Sequence, residues 1–383
     1  MNIPKTYQEE EQAVAPTVQE KKELASAPRP QFTNAEAGAL SFPSATSREY
    51  NYYKPAKLRR TVYEDVTVEV QPDPAHYLSQ GWLYSFADGS AGYPQEWTAL
   101  RSSNWHLFRD PNEEWERTIY VHNARVVHQI SQSIENAKLN KAFARWDPSW
   151  VKQVESHVGA WAHAEHGLGM HVFLPAQRDA PTNMHNNAIA VNATHKLRFA
   201  QDLILYNLAL SEEFEGFDGS RHRRVWMEDP AWQGVRETVE LMTAIRDWAE
   251  AVFVANYVFE PLVGVLFRSR FVMQVAAPHG DFTTPTVIGA GEADYARDLR
   301  YSRDMFALLV NDAEHGAHNR ATLQSWVGEW APRCVDAARR LQPLWSQPNQ
   351  RILRFEDSFS AATEQFRTQI GELGLNSPEE VRA

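Results

Sequence analysis

The sequence predicts an all-α fold, a bundle of long helices behind an extended N-terminal arm, and three observations carry that prediction. Beyond Asp110, apolar residues recur at helical spacing over stretches much longer than a strand. The pairs Asp110-Pro111, Asp147-Pro148 and Asp229-Pro230 each set a capping carboxylate ahead of proline at a first helical position. Ten of the 21 prolines fall within residues 1–111, so the breakers are concentrated ahead of the helical region.

In chain order, residues 1–60 are thin in aliphatics and rich in Glu, Ala, Ser and Pro, and cannot close a core. They end on Tyr50, Tyr52, Tyr53, Lys54, Lys57, Arg59 and Arg60, a suitable ending for an interaction arm that orders against a partner chain. Residues 61–110 read as mostly irregular, with Val66, Val68 and Val70 at period two giving a short strand over 61–71. Helices are then expected over 111–136, 148–174, 184–211, 230–274, 286–311, 319–345 and 355–372. Glu113 would close a capping box with Asp110. Breaks are expected at Pro175 to Thr182 and Ala277 to Pro285, and residues 376–383 form a tail. The helix from 230 is apolar on one stripe early (Val235, Val239, Met242) and on all sides after Ala251, which puts its second half at the centre of the fold.

Composition narrows the function. A chain of 383 residues with 43% apolar content can bury a large core, which excludes a peptide hormone, a disulfide knot or a disordered chain. A formal charge of −11 without basic blocks argues against nucleic acid as partner. A single cysteine, Cys334, and an N-terminus without an apolar stretch lead to the expectation of a cytoplasmic protein. The run Ala251 to Phe267 carries Asn256, Glu260 and Pro261 and reads as a core helix, so no membrane contact is expected. Thirteen tryptophans suit large buried interfaces.

Long-helix bundles hold metals through inward carboxylates and histidines, and the di-iron version requires a Glu from each of two helices plus Glu-x-x-His from each of two others. The spacing matters because positions i and i+3 share a helix face and reach one ion. No Glu-x-x-His occurs; the two Asp-x-x-His matches, Asp73/His76 and Asp312/His315, lie beside prolines and at a helix break. His163, Glu165 and His166 read better as core or interface residues than as ligands. His315 and His318, near Glu314, fall where Gly316 and Asn319 interrupt the helix. Asn256 and Glu260, four apart, are expected to pair locally around the carbonyl that Pro261 frees. No Gly-x-Ser-x-Gly elbow, Walker loop or dinucleotide fingerprint occurs, and Cys334 has no recognisable His partner.

Several stretches together resemble a known family: Trp105-His-Leu-Phe-Arg109-Asp110-Pro111, Trp146-Asp-Pro-Ser-Trp150, Phe199-Ala-Gln201, His279-Gly-Asp-Phe-Thr-Thr-Pro285, Gly316-Ala-His-Asn-Arg320, and Trp326 with Trp330. By these the chain is similar, over nearly all of its length after residue 50, to the β chain, or small subunit, of the hydroxylase component of bacterial soluble di-iron multicomponent monooxygenases. The propane monooxygenase branch is the nearest in appearance. The resemblance implies a ferritin-like long-helix bundle. The catalytic α chains of the family carry Asp-Glu-x-Arg-His on two helices. Laid on this chain, the first copy meets His195-Lys196-Leu197-Arg198-Phe199 and the second Asp294-Tyr295-Ala296-Arg297-Asp298. Lys196 and Phe199 thus stand in one Glu/His pair of slots, Tyr295 and Asp298 in the other. The two remaining slots fall at Glu165 or His166 and near Ala255. An ammonium repels an ion and Phe has no donor atom, so no catalytic, metal or cofactor-binding residue is expected in this chain. Lys196 is expected to pair with Asp298 or Glu165 in the centre, the alternative being that it points to solvent.

What the resemblance implies for the assembly follows. The chain is a non-catalytic part of an NADH-dependent monooxygenase, hydroxylating a small hydrocarbon such as propane. It packs on an α subunit that holds the di-iron centre, in an α2β2-type assembly to which a further small subunit can add. A reductase with FAD and a 2Fe-2S cluster and a coupling protein complete the system. Alternatives are a β chain serving phenol, toluene or methane hydroxylation, and an autonomous ferritin-like metalloprotein using Glu165, His166, Glu314 and His318.

Overall fold

The computed structural model describes residues 61–68 and 98–381. The expected arm over 1–60, the Asp73/His76 pair, and the remainder of 69–97 lie outside the described residues. Nine principal helices make up the described part: α1 Glu116–Leu139, α2 over 148–179, α3 Asn183–Ser211, α4 Arg221–Glu228, α5 Pro230–Met242, α6 Trp248–His279, α7 Thr284–Val310, α8 Gly316–Arg340 and α9 Phe355–Gly371. Among the described residues there is no strand. Helices α2, α3, α6 and α7 form the central bundle; α1 lies over α3 and α7, α4 and α5 flank α2, and α8 and α9 cover α6.

The expected strand is replaced by a helical turn. Thr61 Oγ1 accepts from the Glu64 backbone N–H (3.2 Å) while the Glu64 carboxylate accepts from the Thr61 N–H (3.0 Å), a reciprocal cap that nucleates the turn Glu64–Val68 despite its valines. At Asp110 the carboxylate accepts from Asn112 N–H at 2.8 Å but caps a turn, not the expected helix, and the Asp110 N–H donates to the Tyr63 hydroxyl instead of closing a capping box with Glu113. The helix begins later, because Glu113 takes a left-handed conformation (φ 50°) and leaves the first helical turn to Glu116. Asp147 and Asp229 cap α2 and α5 through Ser149 N–H (2.7 Å) and Ala231 N–H (2.9 Å).

Helix α2 runs past the expected break at Pro175 to Asp179, and α6 runs through Pro261 as expected; each proline follows or lies in a π-helical stretch, Leu168–Phe173 and Val254–Gly264. The wider turn relieves the ring clash and redistributes the lost hydrogen bond. The helix expected over 230–274 is two helices, α5 and α6, with a break after Met242. Asp247 restarts the chain, accepting from the N–H groups of Ala249 (2.9 Å) and Glu250 (3.2 Å). Helix α4 is not among the expected helices: half of its eight residues are charged, and it is anchored by two buried residues four apart, His222 and Trp226. The tail is docked at least to Val381, which is buried and whose carbonyl accepts from Arg367 at 2.7 Å.

Helix α6 is long and apolar enough to cross a membrane by length and composition, and 94% of its apolar window is buried, the position of a core helix. Its length exceeds the Ala251 to Phe267 run that the sequence singled out. The tryptophans serve the interior more than the surface: ten of the eleven in the described residues are buried within this chain, so their number does not indicate an interface.

The motif stretches 146–150, 279–285 and 316–320 lie at corners, whereas 199–201 and the Trp326/Trp330 pair lie inside α3 and α8. Asp147 N–H donates to the His279 carbonyl (2.9 Å), and Trp150 Nε1 donates to Asp281 (2.8 Å), tying the start of α2 to the α6–α7 turn. Gly280 there has φ 83°, and a Cβ would sit 2.5 Å from the Arg145 carbonyl oxygen. Asn319 amide donates to the carbonyls of Leu309 and Arg101, both at 2.7 Å, closing the α7–α8 corner.

Candidate functional site

The centre of the four-helix bundle holds charge. Glu165 from α2, Lys196 from α3, and Glu260 and Arg268 from α6 are all essentially sealed from solvent. Lys196 Nζ lies 3.3 Å from Glu165 Oε2 and pairs closely with Glu260 Oε1. Arg268 spans the same two carboxylates, at 3.0 Å to Glu165 and 2.6 Å to Glu260, and its Nε reaches Glu292 of α7 at 2.6 Å. Trp161 Nε1 donates to Glu165 (2.6 Å), and the guanidinium lies 5.2 Å from the centre of the Trp161 ring. Two cations and two carboxylates thus compensate one another in the interior, with the partly exposed Glu292 as a fifth member.

Burial is the largest influence on each of these groups. It would raise the Glu260 carboxyl, but Arg268 and Lys196 overcome it and hold Glu260 down at about 2. Glu165 is raised, because its burial outweighs the same two cations. For Lys196 burial works toward neutrality, and the two glutamates more than offset it, so the ammonium stays protonated.

The arrangement depends on π-helical geometry. Glu260 projects from the stretch Val254–Gly264 and is the carboxylate that α6 delivers to the centre. A π turn adds a residue per turn and moves the inward face. Gly264 makes the pairing possible: a Cβ there would stand 2.3 Å from Glu260 Oε2 and 2.8 Å from Arg268 Nη1. Pro261 has no N–H to offer the carbonyl five residues back, Asn256, and the Tyr295 hydroxyl donates to that oxygen instead (3.1 Å). Phe199 packs its ring on Gly291, where a Cβ would approach to 2.5 Å.

A second buried network adjoins the first. His195 Nδ1 donates to Asp298 Oδ1 (2.7 Å), whose other oxygen accepts from Asn192 (2.8 Å). Asn192 in turn accepts from Asn256 (2.8 Å) and Tyr301 (2.9 Å), and Asn256 also donates to Ser302 (2.8 Å). Arg198 bridges Asp202 and Asp294 in close ion pairs. His122 of α1 brings its Nε2 to 3.4 Å from Asp294 Oδ1 and 2.5 Å from Arg297 Nη1. Burial lifts Asp298 to about 6 against the pull of His195, whereas at Asp294 burial is overcome by His122, His195 and Arg198, which hold it at about 2.

Glu165 and Lys196 meet as one of the two expected pairings; Asp298 does not pair with Lys196, being held by His195 and Asn192. Asn256 and Glu260 do not pair with each other: Asn256 reaches Asn192 on α3, and Glu260 reaches Lys196 on α3 and Arg268 on its own helix. The alternative ligand set does not come together: Glu165 is buried, His166 and Glu314 are exposed, and exposed His318 bonds the Ala99 carbonyl. His163 pairs with His222 (2.9 Å). Among the described residues no three His, Cys, Asp or Glu side chains converge as an ion requires. The central residues do not fit a metal: the donor oxygens of Glu165 and Glu260 are taken by cations, Phe199 and Ala255 offer no donor, and the Tyr295 oxygen is engaged.

Sequence reasoning missed Arg268, His195 and Asn192. The signal for Arg268 was present, an arginine in an apolar core helix, which must find carboxylates or remain unburied.

Comparison with known proteins agrees with this architecture. The family model described as methane/phenol/alkene hydroxylase matches residues 82–313. The chain is 56% identical over 356 residues to the propane 2-monooxygenase hydroxylase component small subunit of Rhodococcus jostii (strain RHA1), covering 93% of this chain and 97% of the relative. It is 27% identical over 313 residues to the methane monooxygenase component A beta chain of Methylosinus trichosporium, covering 79% of each. In fold it is similar to a solved structure of toluene 4-monooxygenase with toluene in the resting active site (TM-score 0.63, 22% identity, 75% of this chain and 94% of that one). It is also similar to xenon-pressurized phenol hydroxylase from Pseudomonas sp. OX1 (TM-score 0.65, 19% identity, 85% and 92%). With the family model spanning well over half the chain and close relatives matching almost end to end, the chain belongs to the methane/phenol/alkene hydroxylase family, among the small subunits of its hydroxylase components.

Proposed function

We propose that this chain is the non-catalytic small subunit of an NADH-dependent hydroxylase that oxidises a small hydrocarbon, propane or an alkane of similar size. The observation that carries the reading is the buried Lys196–Arg268 pair seated between Glu165 and Glu260, at the centre of a bundle whose relatives are hydroxylase subunits. In this reading the chain supports a large subunit that carries the di-iron centre, in an α2β2-type assembly. Electrons come from a separate reductase with FAD and a 2Fe-2S cluster, and a coupling protein completes the system. The substrate preference rests on the identity to propane 2-monooxygenase small subunits, about twice that to the methane chain (56% against 27%).

The test is reconstitution. Co-expressed with its large subunit and supplied with reductase, coupling protein and NADH, the complex is expected to oxidise propane faster than methane, phenol or toluene. Either chain alone should be inactive. Turnover by this chain without the large subunit would overturn the reading.

A further inference from the structure

We infer that the outward face of α1 and α3 is the surface on which the large subunit docks, an inference that rests on the small-subunit reading above. Of the 24 residues of α1 only Ile119, Ile130 and Ala137 are buried, one narrow line of contact for a long helix. A helix so little covered by its own chain needs another surface. Its uncovered side is not uniformly polar: Tyr120, Val127 and Ile134 repeat at helical spacing, with Tyr120 62% and Val127 40% exposed. Beside it α3 presents Ile204, Leu205 and Leu208 on one stripe, with Leu205 50% and Leu208 57% exposed. Val127 and Ile134 of α1 and Leu205 of α3 line one groove between the helices, with Glu135, Lys138 and Asp202 as its charged members.

The dimensions suit a permanent partner. At ~1.5 Å per residue α1 is ~36 Å long, and two helices ~9 Å apart present a face roughly 20 Å wide. The resulting footprint of ~700 Å2 is comparable with the ~800 Å2 that each partner contributes to a stable protein interface. The occupant is the large subunit because the relatives are named as small subunits or beta chains of a multi-subunit component, and a component of that kind must bury such a face. The same helix carries His122 into the Asp294 network, so docking would press α1 onto the buried charges beneath it.

The experiment places a photoreactive phenylalanine analogue at position 205, or at position 241 on α5 as control, in this chain co-expressed with its large subunit. Position 205 is expected to cross-link to the large subunit and position 241 not. In parallel, Leu205→Glu with Leu208→Glu should reduce co-purification at least tenfold, while Leu241→Glu leaves it unchanged. Cross-linking from position 205 to a second copy of this chain, or to its own residues 1–97, would overturn the inference, as would no cross-link in a complex that forms normally. Failure of the unaltered chains to co-purify at all would sink the subunit reading itself, and is distinguishable from those outcomes.

Discussion

Replacing Lys196 with Met removes one cation from a buried set of two cations and two carboxylates while keeping most of the side-chain volume. Breaking a buried pair by deleting one partner typically costs about 3–5 kcal/mol, because the remaining charge is left uncompensated. Arg268 stays in contact with both glutamates, which puts the expected loss at the lower end, about 3 kcal/mol, or a fall in Tm of roughly 4 °C for a chain of this length. The sign with pH follows from Glu260, held at about 2 against an ordinary 4.5: its contribution is complete above pH 4.5 and is lost as pH falls toward 2. The gap between wild type and Lys196→Met should therefore be widest near neutrality and close in acid. Adding Glu165→Gln, which neutralises the carboxyl that burial already raises, should recover about 2 kcal/mol in a double-mutant cycle. Thermal and urea unfolding of the assembled complex, followed by circular dichroism, measure each quantity. An unchanged Tm for Lys196→Met, or a double variant no more stable than the single, would refute the reasoning.

Three further outcomes are expected. Asp294→Asn should cost about 2 kcal/mol at pH 7, and because Asp294 is held at about 2 the difference from wild type should vanish as pH falls from 4 toward 2, read as Tm against pH. Tyr295→Phe should cost about 1–3 kcal/mol by orphaning the Asn256 carbonyl, and less in a Pro261→Ala background, where an N–H is again available five residues along the π turn; a urea-denaturation cycle reports the coupling. Gly264→Ala, which gains about 1 kcal/mol in helix propensity, should nonetheless destabilise, since its Cβ would stand 2.3 Å from Glu260 Oε2; a Tm at or above wild type would contradict the geometry.

Much of the fold was legible because its signals are local. Asp147 and Asp229 before proline announce α2 and α5, and the apolar surround after Ala251 announces a central helix. Two misreadings were also local and correctable. Thr61 with Glu64, and Asp247 with Glu250, each carry the capping spacing that turns an apparent strand into a helical turn and divides one long helix into two. What the sequence could not carry was pitch. The π-helical stretches before Pro175 and around Pro261 move the inward face away from a 3.6-residue count, and Glu260 is presented to the centre from the second of them. Pairings across helices were likewise open: Lys196 could be assigned carboxylate partners by charge, but only packing selects Glu260 over Asp298, which His195 already holds.

The claim on which the account rests is that side-chain cations occupy the place where this architecture would otherwise grip metal. X-ray anomalous scattering at the iron edge, from crystals of this chain assembled with its large subunit, tests it without separating the chains. The account predicts anomalous peaks within the large subunit and none between Glu165 and Glu260. A peak there, with Lys196 and Arg268 turned away from the two carboxylates, would contradict it.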